Sequence, residues 1–268
     1  MRSWQVLDAN HAAPEPTTLE GAEVHVYSRR SPLREGRNQD AAGLWALDDG
    51  SVVLAVADGM GGAPSGADAA TMAIAELDRH LDDAGRGDDL RPFILDAFER
   101  ANRAILDLGV GAGTTLVVAQ VADDGVRLYH VGDSAAMLVG QRGRVKIETI
   151  PHSPVGYAVA SGMLDPVSAL DHDDRHYLSN HLGTEDMRIE MGSARPVAAR
   201  DTLLLASDGL FDNLTPDEII RTIRSGPLGD AAAGLARTCA DRMPSVDVPG
   251  PGKADDVTFL LYRRRSAR

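Results

Sequence analysis

The sequence is poor in the groups that would staple, anchor or basify a protein. Cys239 is its only cysteine, which excludes an internal disulfide and a thiolate metal cluster and fits a reducing, cytoplasmic setting. No run of about 18 apolar residues reads as a membrane span, and the opening stretch MRSWQVLDANHAAPEP lacks an apolar core of signal-peptide length. Bases are in deficit: 27 Lys and Arg face 40 Asp and Glu, for a net charge of −13. Nucleic-acid backbones are held by Lys and Arg that neutralise phosphates, so this balance argues against a nucleic-acid scaffold. The expectation is a soluble monomer with no nucleic-acid or membrane partner.

What the chain does have is a series of short apolar runs. Leu44–Leu47, Val52–Ala57, Thr115–Val121, Val126–Val131, Ala135–Val139, Val145–Ile150, Thr202–Ala206 and Val257–Tyr262 read as strands. Turn residues such as Asp123-Asp124-Gly125 and Gly140–Gly143 join consecutive runs as hairpins, hence antiparallel pairs. Helical spacing places Ala70, Ala73, Ile74, Leu77 and Leu81 on one face, and Ile94, Phe98, Ala101, Ile105 and Leu108 on another. Thr215-Pro216-Asp217-Glu218 has the form of a capping box opening a third helix, and Asp230–Met243 reads as a fourth. Together these give an α+β fold with helices layered on antiparallel sheets. No linker divides the chain, so residues 23–263 read as one domain, with an irregular arm at 1–22 and a short basic tail at 264–268. Residues 151–200 lack periodicity and read as a loop-rich subdomain with some short helix.

The chemistry is carried by aspartates at strand ends. VVLAVA runs into Asp58-Gly59, RLYHVG into Asp133-Ser134 and TLLLAS into Asp208-Gly209, whereas Asp40 precedes AAGLWAL and Asp255-Asp256 precede VTFLLY. In an antiparallel sheet one strand's end lies beside its neighbour's start, so these positions can converge on one edge. Such carboxylates repel one another unless cations neutralise them. All-oxygen donors without a Cys or His set select Mg²⁺ or Mn²⁺. Gly59, Gly61, Gly62 and Gly66 follow the first of these strands, VVLAVA, where absent Cβ atoms let backbone approach a metal or phosphate. Asp-rich pairs elsewhere, such as Asp82-Asp83 and Asp173-Asp174, read as solvated turns or helix ends.

The ordered segments NQDAA (38–42), VADGMGGAPSGADAA (56–70), GTTLVVA (113–119), VGDSAAML (131–138), ASDGLFDNL (206–214) and DDVT (255–258) resemble the PPM family, the metal-dependent type-2C protein phosphatases. The resemblance implies a four-layer α/β/β/α sandwich of two antiparallel sheets flanked by helices. It implies hydrolysis of phosphoserine or phosphothreonine by a metal-activated water, with two Mg²⁺ or Mn²⁺ ions and a third in bacterial-type members. By position, Asp58 would bridge two ions and the Gly59 carbonyl would hold the first. Asp208 and Asp255 would hold the second, Asp133 with Asp208 the third, and Asp40 would act directly or through water. Gly113-Thr114-Thr115 would pack behind the site. The family's phosphate-binding arginine falls on Glu35 here, so Arg34 is assigned in its place, with Arg37 as the competing position. Met60 stands where many eukaryotic members carry a histidine that serves as general acid, which leaves water, His152 or His176 to protonate the leaving oxygen. Gln39 replaces a common Glu, and Ala135 an Arg often found after GDS. Residues 155–185 align with the family's variable flap. Partners implied are phosphorylated proteins and a cognate Ser/Thr kinase. A catalytically weak pseudophosphatase that binds phosphoproteins is the alternative, motivated by Gln39 and the displaced arginine.

Overall fold

The computed structural model describes residues 1–60, 65–243 and 250–265. Gly61 and Gly62 of the glycine-rich turn, residues 244–249 and the last three residues of the basic tail lie outside them.

Two antiparallel sheets stack face to face. In the first, β1 (Arg2–Leu7), β4 (Asp40–Ala46), β5 (Val52–Met60), β7 (Leu116–Ala122), β8 (Gly125–Val131) and β11 (Glu190–Met191) lie side by side in that order, and β6 (Gly113–Thr114) pairs with the end of β5. In the second the order is β10 (Val145–Glu148), β9 (Ala135–Val139), β12 (Thr202–Ala206), β13 (Val257–Arg264), β3 (Ala22–Arg29) and β2 (Glu15–Leu19). Helices α1 (Ser65–Asp82) and α2 (Leu90–Asp107) cover the first sheet, while α5 (Pro216–Ile223) and α6 (Leu228–Arg242) cover the second.

The period-2 geometry of a strand explains why the central runs are apolar throughout. Val53, Ala55 and Ala57 of β5 pack under α1 and α2, whereas Leu54 and Val56 face Leu203, Leu205 and Leu260 of the opposite sheet. Both faces are buried, so no polar alternation survives. Gly43 of β4 makes room for Trp45: a Cβ there would lie 2.1 Å from the fully buried indole, whose Nε1 donates to Asp78 at 2.7 Å. Thr215 and Glu218 form the expected capping box at α5.

Residues 1–22 are not an irregular arm. β1 pairs along β4 and β2 along β3, closing one edge of each sheet. Their signal is weak for a physical reason: edge strands bury few side chains. Only Trp4 and Val6 of β1 turn inward, and β2 accommodates Pro16 because an edge position can dispense with an N–H. The basic tail is also partly structural. Arg264 is the last residue of β13, and Arg265 N donates to Gly21 O at 2.7 Å. Between 151 and 200, short helix does occur: α3 (Pro154–Ala160), capped by Ser153, and two single 3₁₀ turns. Among the described residues no helix is long and apolar enough to cross a membrane.

Candidate active site

The strand-end aspartates meet at one end of the sandwich, and both sheets supply them. This corrects the expectation of a single sheet edge. Asp40 and Asp58 face each other in register on β4 and β5 of the first sheet. Asp133 lies on the turn where the chain leaves β8 and crosses to β9 of the second sheet. Asp208 opens the one-turn helix α4 (Asp208–Phe211) directly after β12, and Asp255 precedes β13 beside it. The convergence follows from the antiparallel pairing within each sheet and from the β8–β9 crossover between them.

Asp58 is at the centre. Burial raises its carboxyl well above the usual range, and the nearby charges of Asp40, Asp208, Asp255 and Asp133 raise it further. Its backbone is fixed by the next strand: Asp58 N donates to Thr115 Oγ1 at 3.0 Å, and Thr114 Oγ1 and Thr115 N donate to Asp58 O, both at 2.9 Å. Thr114 and Thr115 thus brace the site from behind. Gly59 cannot carry a side chain, because its Cβ would lie 2.1 Å from Gly66 O.

The neighbouring carboxyls are perturbed in the same direction. Burial, then Asp208 and Asp212, push Asp133 up to about 8. Asp208 rises to about 6 through burial and Asp212, against the opposing pull of Lys253. Asp40, 2% exposed, is raised by burial and by Asp256, while Ser207 Oγ donates to its Oδ2 at 2.8 Å.

Three features show that these residues suit divalent cations. Among the described residues, Asp40 Oδ1 is buried without a hydrogen-bond partner. The mutual repulsion calls for positive charge. The nearest ammonium, Lys253 Nζ, has been drawn among Asp212 Oδ2 at 2.8 Å and Asp208 Oδ2 and Asp255 Oδ2, each at 3.2 Å. The donors are all oxygen, as hard ions require.

Arg34 lies at this cleft. Its guanidinium donates to Gln39 Oε1 at 2.6 Å, Asp255 Oδ1 at 3.1 Å and Asp256 Oδ2 at 3.4 Å. Arg37 instead points to Asp8 and Asp68 on the exterior. Asp256 is the buried anchor of this corner, accepting the N–H groups of Ser31 and Gln39 at 2.7 Å each. The open cleft has a volume of about 490 Å³ and is lined by Arg34, Asp58, Asp133, Asp208, Lys253 and Asp255, with His176 and Leu178 reaching in from the flap segment.

The two candidate histidines separate. His176 lines the cleft. His152 is buried away from it: its Nδ1 accepts Gly132 N–H at 3.1 Å and Asn180 Nδ2–H at 2.8 Å, and its backbone N donates to Gly132 O at 3.0 Å. It therefore braces the turn that carries Asp133. His130, His152 and Glu190 do converge within 4.8 Å. However, with Nδ1 accepting two donors, the His152 proton is on Nε2 facing Glu190, the wrong tautomer for ligation through that atom.

Sequence reasoning missed Lys253, Asp212 and the anchoring role of Asp256. Asp212 was detectable, since it lies four residues after Asp208 and so on the same face of a helical turn. Lys253 was not, because a single lysine in a Gly/Pro-rich loop carries no pattern.

Comparison with known proteins agrees with this architecture. The family model for "Protein phosphatase 2C" matches residues 31–226. The serine/threonine phosphatase stp of Listeria welshimeri is 31% identical over 242 residues, covering 85% of this chain and 90% of its own. The structure of the serine/threonine phosphatase Stp1 from Staphylococcus aureus superposes with a TM-score of 0.78 at 26% identity, over 97% of this chain and all (100%) of that one. The catalytic domain of the serine/threonine protein phosphatase PstP, solved in complex with two manganese ions, superposes with a TM-score of 0.71 at 27% identity, over 91% of this chain and 99% of that one. The sandwich, the ring of strand-end aspartates and these matches agree: this chain belongs to the protein phosphatase 2C family of metal-dependent serine/threonine phosphatases.

Proposed function

We propose that this chain hydrolyses phosphoserine and phosphothreonine in proteins by direct attack of water, with Asp40, Asp58, Asp133, Asp208, Asp255 and the Gly59 carbonyl holding two or three Mg²⁺ or Mn²⁺ ions. The observation that carries the reading is that Asp58 pairs in register with Asp40 and lines one cleft with Asp133, Asp208 and Asp255. Divalent cations bound there would lower the pKa of water and neutralise charge on the phosphoryl oxygens.

The chain's own residues do the rest. Thr114 and Thr115 hold the Asp58 backbone so that its carboxylate needs no reorganisation. Arg34 offers a planar fork to the phosphate dianion, exchanging its present carboxylate partners for phosphoryl oxygens. His176, at the flap side of the cleft, is placed to protonate the departing serine or threonine oxygen. No covalent phosphoenzyme is needed. Phosphorylated proteins are then the substrates and a Ser/Thr kinase the opposing activity, with the chain acting as a cytoplasmic monomer.

The test is phosphate release from a phosphothreonine peptide. Release should require Mn²⁺ or Mg²⁺, stop in excess EDTA, and fall at least a hundredfold in Asp208→Asn. Undiminished turnover in EDTA would refute the proposal.

A further inference from the structure

A second cavity opens from the same cleft. It has a volume of about 260 Å³ and shares Asp133 and Asp208 with the catalytic cleft, but its character is different. Ala135, Ala136 and Met137 of β9 form one wall, Val155 and Val159 of α3 another, and Phe211 of α4 a third. At its flap end Arg175, the one cation of the lining among the described residues, pairs with Asp212 and donates to Leu170 O.

From this geometry we infer that the cavity is a specificity subsite for one large apolar side chain of the phosphoprotein substrate, located within a few residues of the phosphorylated one. The inference rests on the phosphatase reading above and names the sequence context that the same site selects.

Three observations support a side chain as the occupant. The first is size. An apolar cavity of about 150 Å³ holds a benzene ring, and sites for whole small-molecule ligands run from about 300 Å³ upward. About 260 Å³ therefore suits a Leu, Met or Phe side chain. The second is continuity. A peptide advances about 3.3–3.6 Å per extended residue, so with Asp133 and Asp208 common to both spaces, a residue near the phosphorylated one reaches the opening. The third is the wall immediately after Asp133-Ser134. Ala135, whose side chain is a single methyl, lines the cavity two residues after Asp133, whereas the Ala136 side chain turns into the core between the sheets.

The test uses phosphothreonine peptides in which each position from three before to three after the phosphorylated residue is varied between Ala and Leu, with p-nitrophenyl phosphate as a substrate that has no flanking residues. At one or two positions Leu should raise kcat/KM roughly tenfold or more, the effect of burying one such side chain. Val159→Asp, which puts a carboxylate in the half-buried α3 wall, and Ala169→Phe, which fills the cavity from the 3₁₀ turn, should each abolish that preference. Both should leave p-nitrophenyl phosphate turnover within about twofold, which also shows that the variants fold. Equal rates for Leu and Ala at every position, or a preference that survives both substitutions, would overturn the subsite while leaving the phosphatase reading intact. Failure to hydrolyse any peptide or aryl phosphate in Mn²⁺ would instead overturn the phosphatase reading.

Discussion

Replacing Asp208 with asparagine should stabilise the metal-free protein while abolishing its catalysis. Burial and Asp212 raise the Asp208 carboxyl from 3.8 to about 6, even with Lys253 at 3.2 Å pulling the other way. A group whose folded pKa is raised contributes its full stability below its unfolded pKa and loses it as pH rises through the folded value. Above pH 7 the metal-free wild type therefore carries the whole penalty. At about 1.4 kcal/mol per tenfold change in proton affinity this is on the order of 3 kcal/mol, and solvent reaching the 24%-exposed side chain reduces it to about 2–3 kcal/mol. Asparagine is never charged and removes the penalty. In a chain of this size each kcal/mol moves the melting temperature by about 2–4 °C. In EDTA at pH 8, Asp208→Asn should melt roughly 4–12 °C above wild type, and the gap should narrow toward pH 5. With saturating Mn²⁺ the order should invert, because a cation at a thousand times its Kd adds about 4 kcal/mol to the wild type alone. Scanning fluorimetry across pH, with and without metal, reads all of these. A variant that melts no higher than wild type in EDTA at pH 8, or one whose advantage persists unchanged at pH 5, would refute the reasoning.

Lys253→Met should raise Mn²⁺ affinity by tenfold or more in calorimetry and lower the metal-free melting temperature, because an ammonium near carboxylates contributes up to about 4 kcal/mol at 4 Å in an effective dielectric near 20 and must leave them for a cation to enter. His176→Gln should slow phosphothreonine peptides about a hundredfold in kcat yet leave p-nitrophenyl phosphate almost unchanged, since nitrophenolate departs without a proton; equal losses on both would remove His176 as the acid. Gly43→Ala should cost about 1–3 kcal/mol in denaturant unfolding, because the added methyl meets the Trp45 ring at 2.1 Å and the buried indole has nowhere to move.

How far the molecule could be read from its sequence depended on what each segment buries. The central strands declared themselves because β5 and β7 are apolar on both faces, and α1 and α2 because one face of each meets a sheet. β1 and β2 stayed hidden since an edge strand is held by backbone hydrogen bonds, which leave little mark on side-chain choice. The flap segment gave no period because only Val155 of α3 is buried and neither 3₁₀ turn buries any residue. The aspartates were legible as repeated strand-end residues, but their source in two sheets was not: nothing in the sequence of Asp133-Ser134 marks the turn as a crossing between layers. Arg34 could be named only as the neighbour of an expected position, and its hydrogen bonds to Gln39, Asp255 and Asp256 are what distinguish it from Arg37.

Every role given to these side chains depends on the carboxylates gathering divalent cations. Calorimetric titration of Mn²⁺ into the chelator-stripped protein tests this most directly. It should show at least two ions bound per chain, with release of protons at pH 7 from the raised Asp133 carboxyl, and Asp58→Asn should eliminate the tightest binding event. A wild-type protein that takes up no Mn²⁺, or an Asp58→Asn variant that binds it as tightly as wild type, would contradict the account.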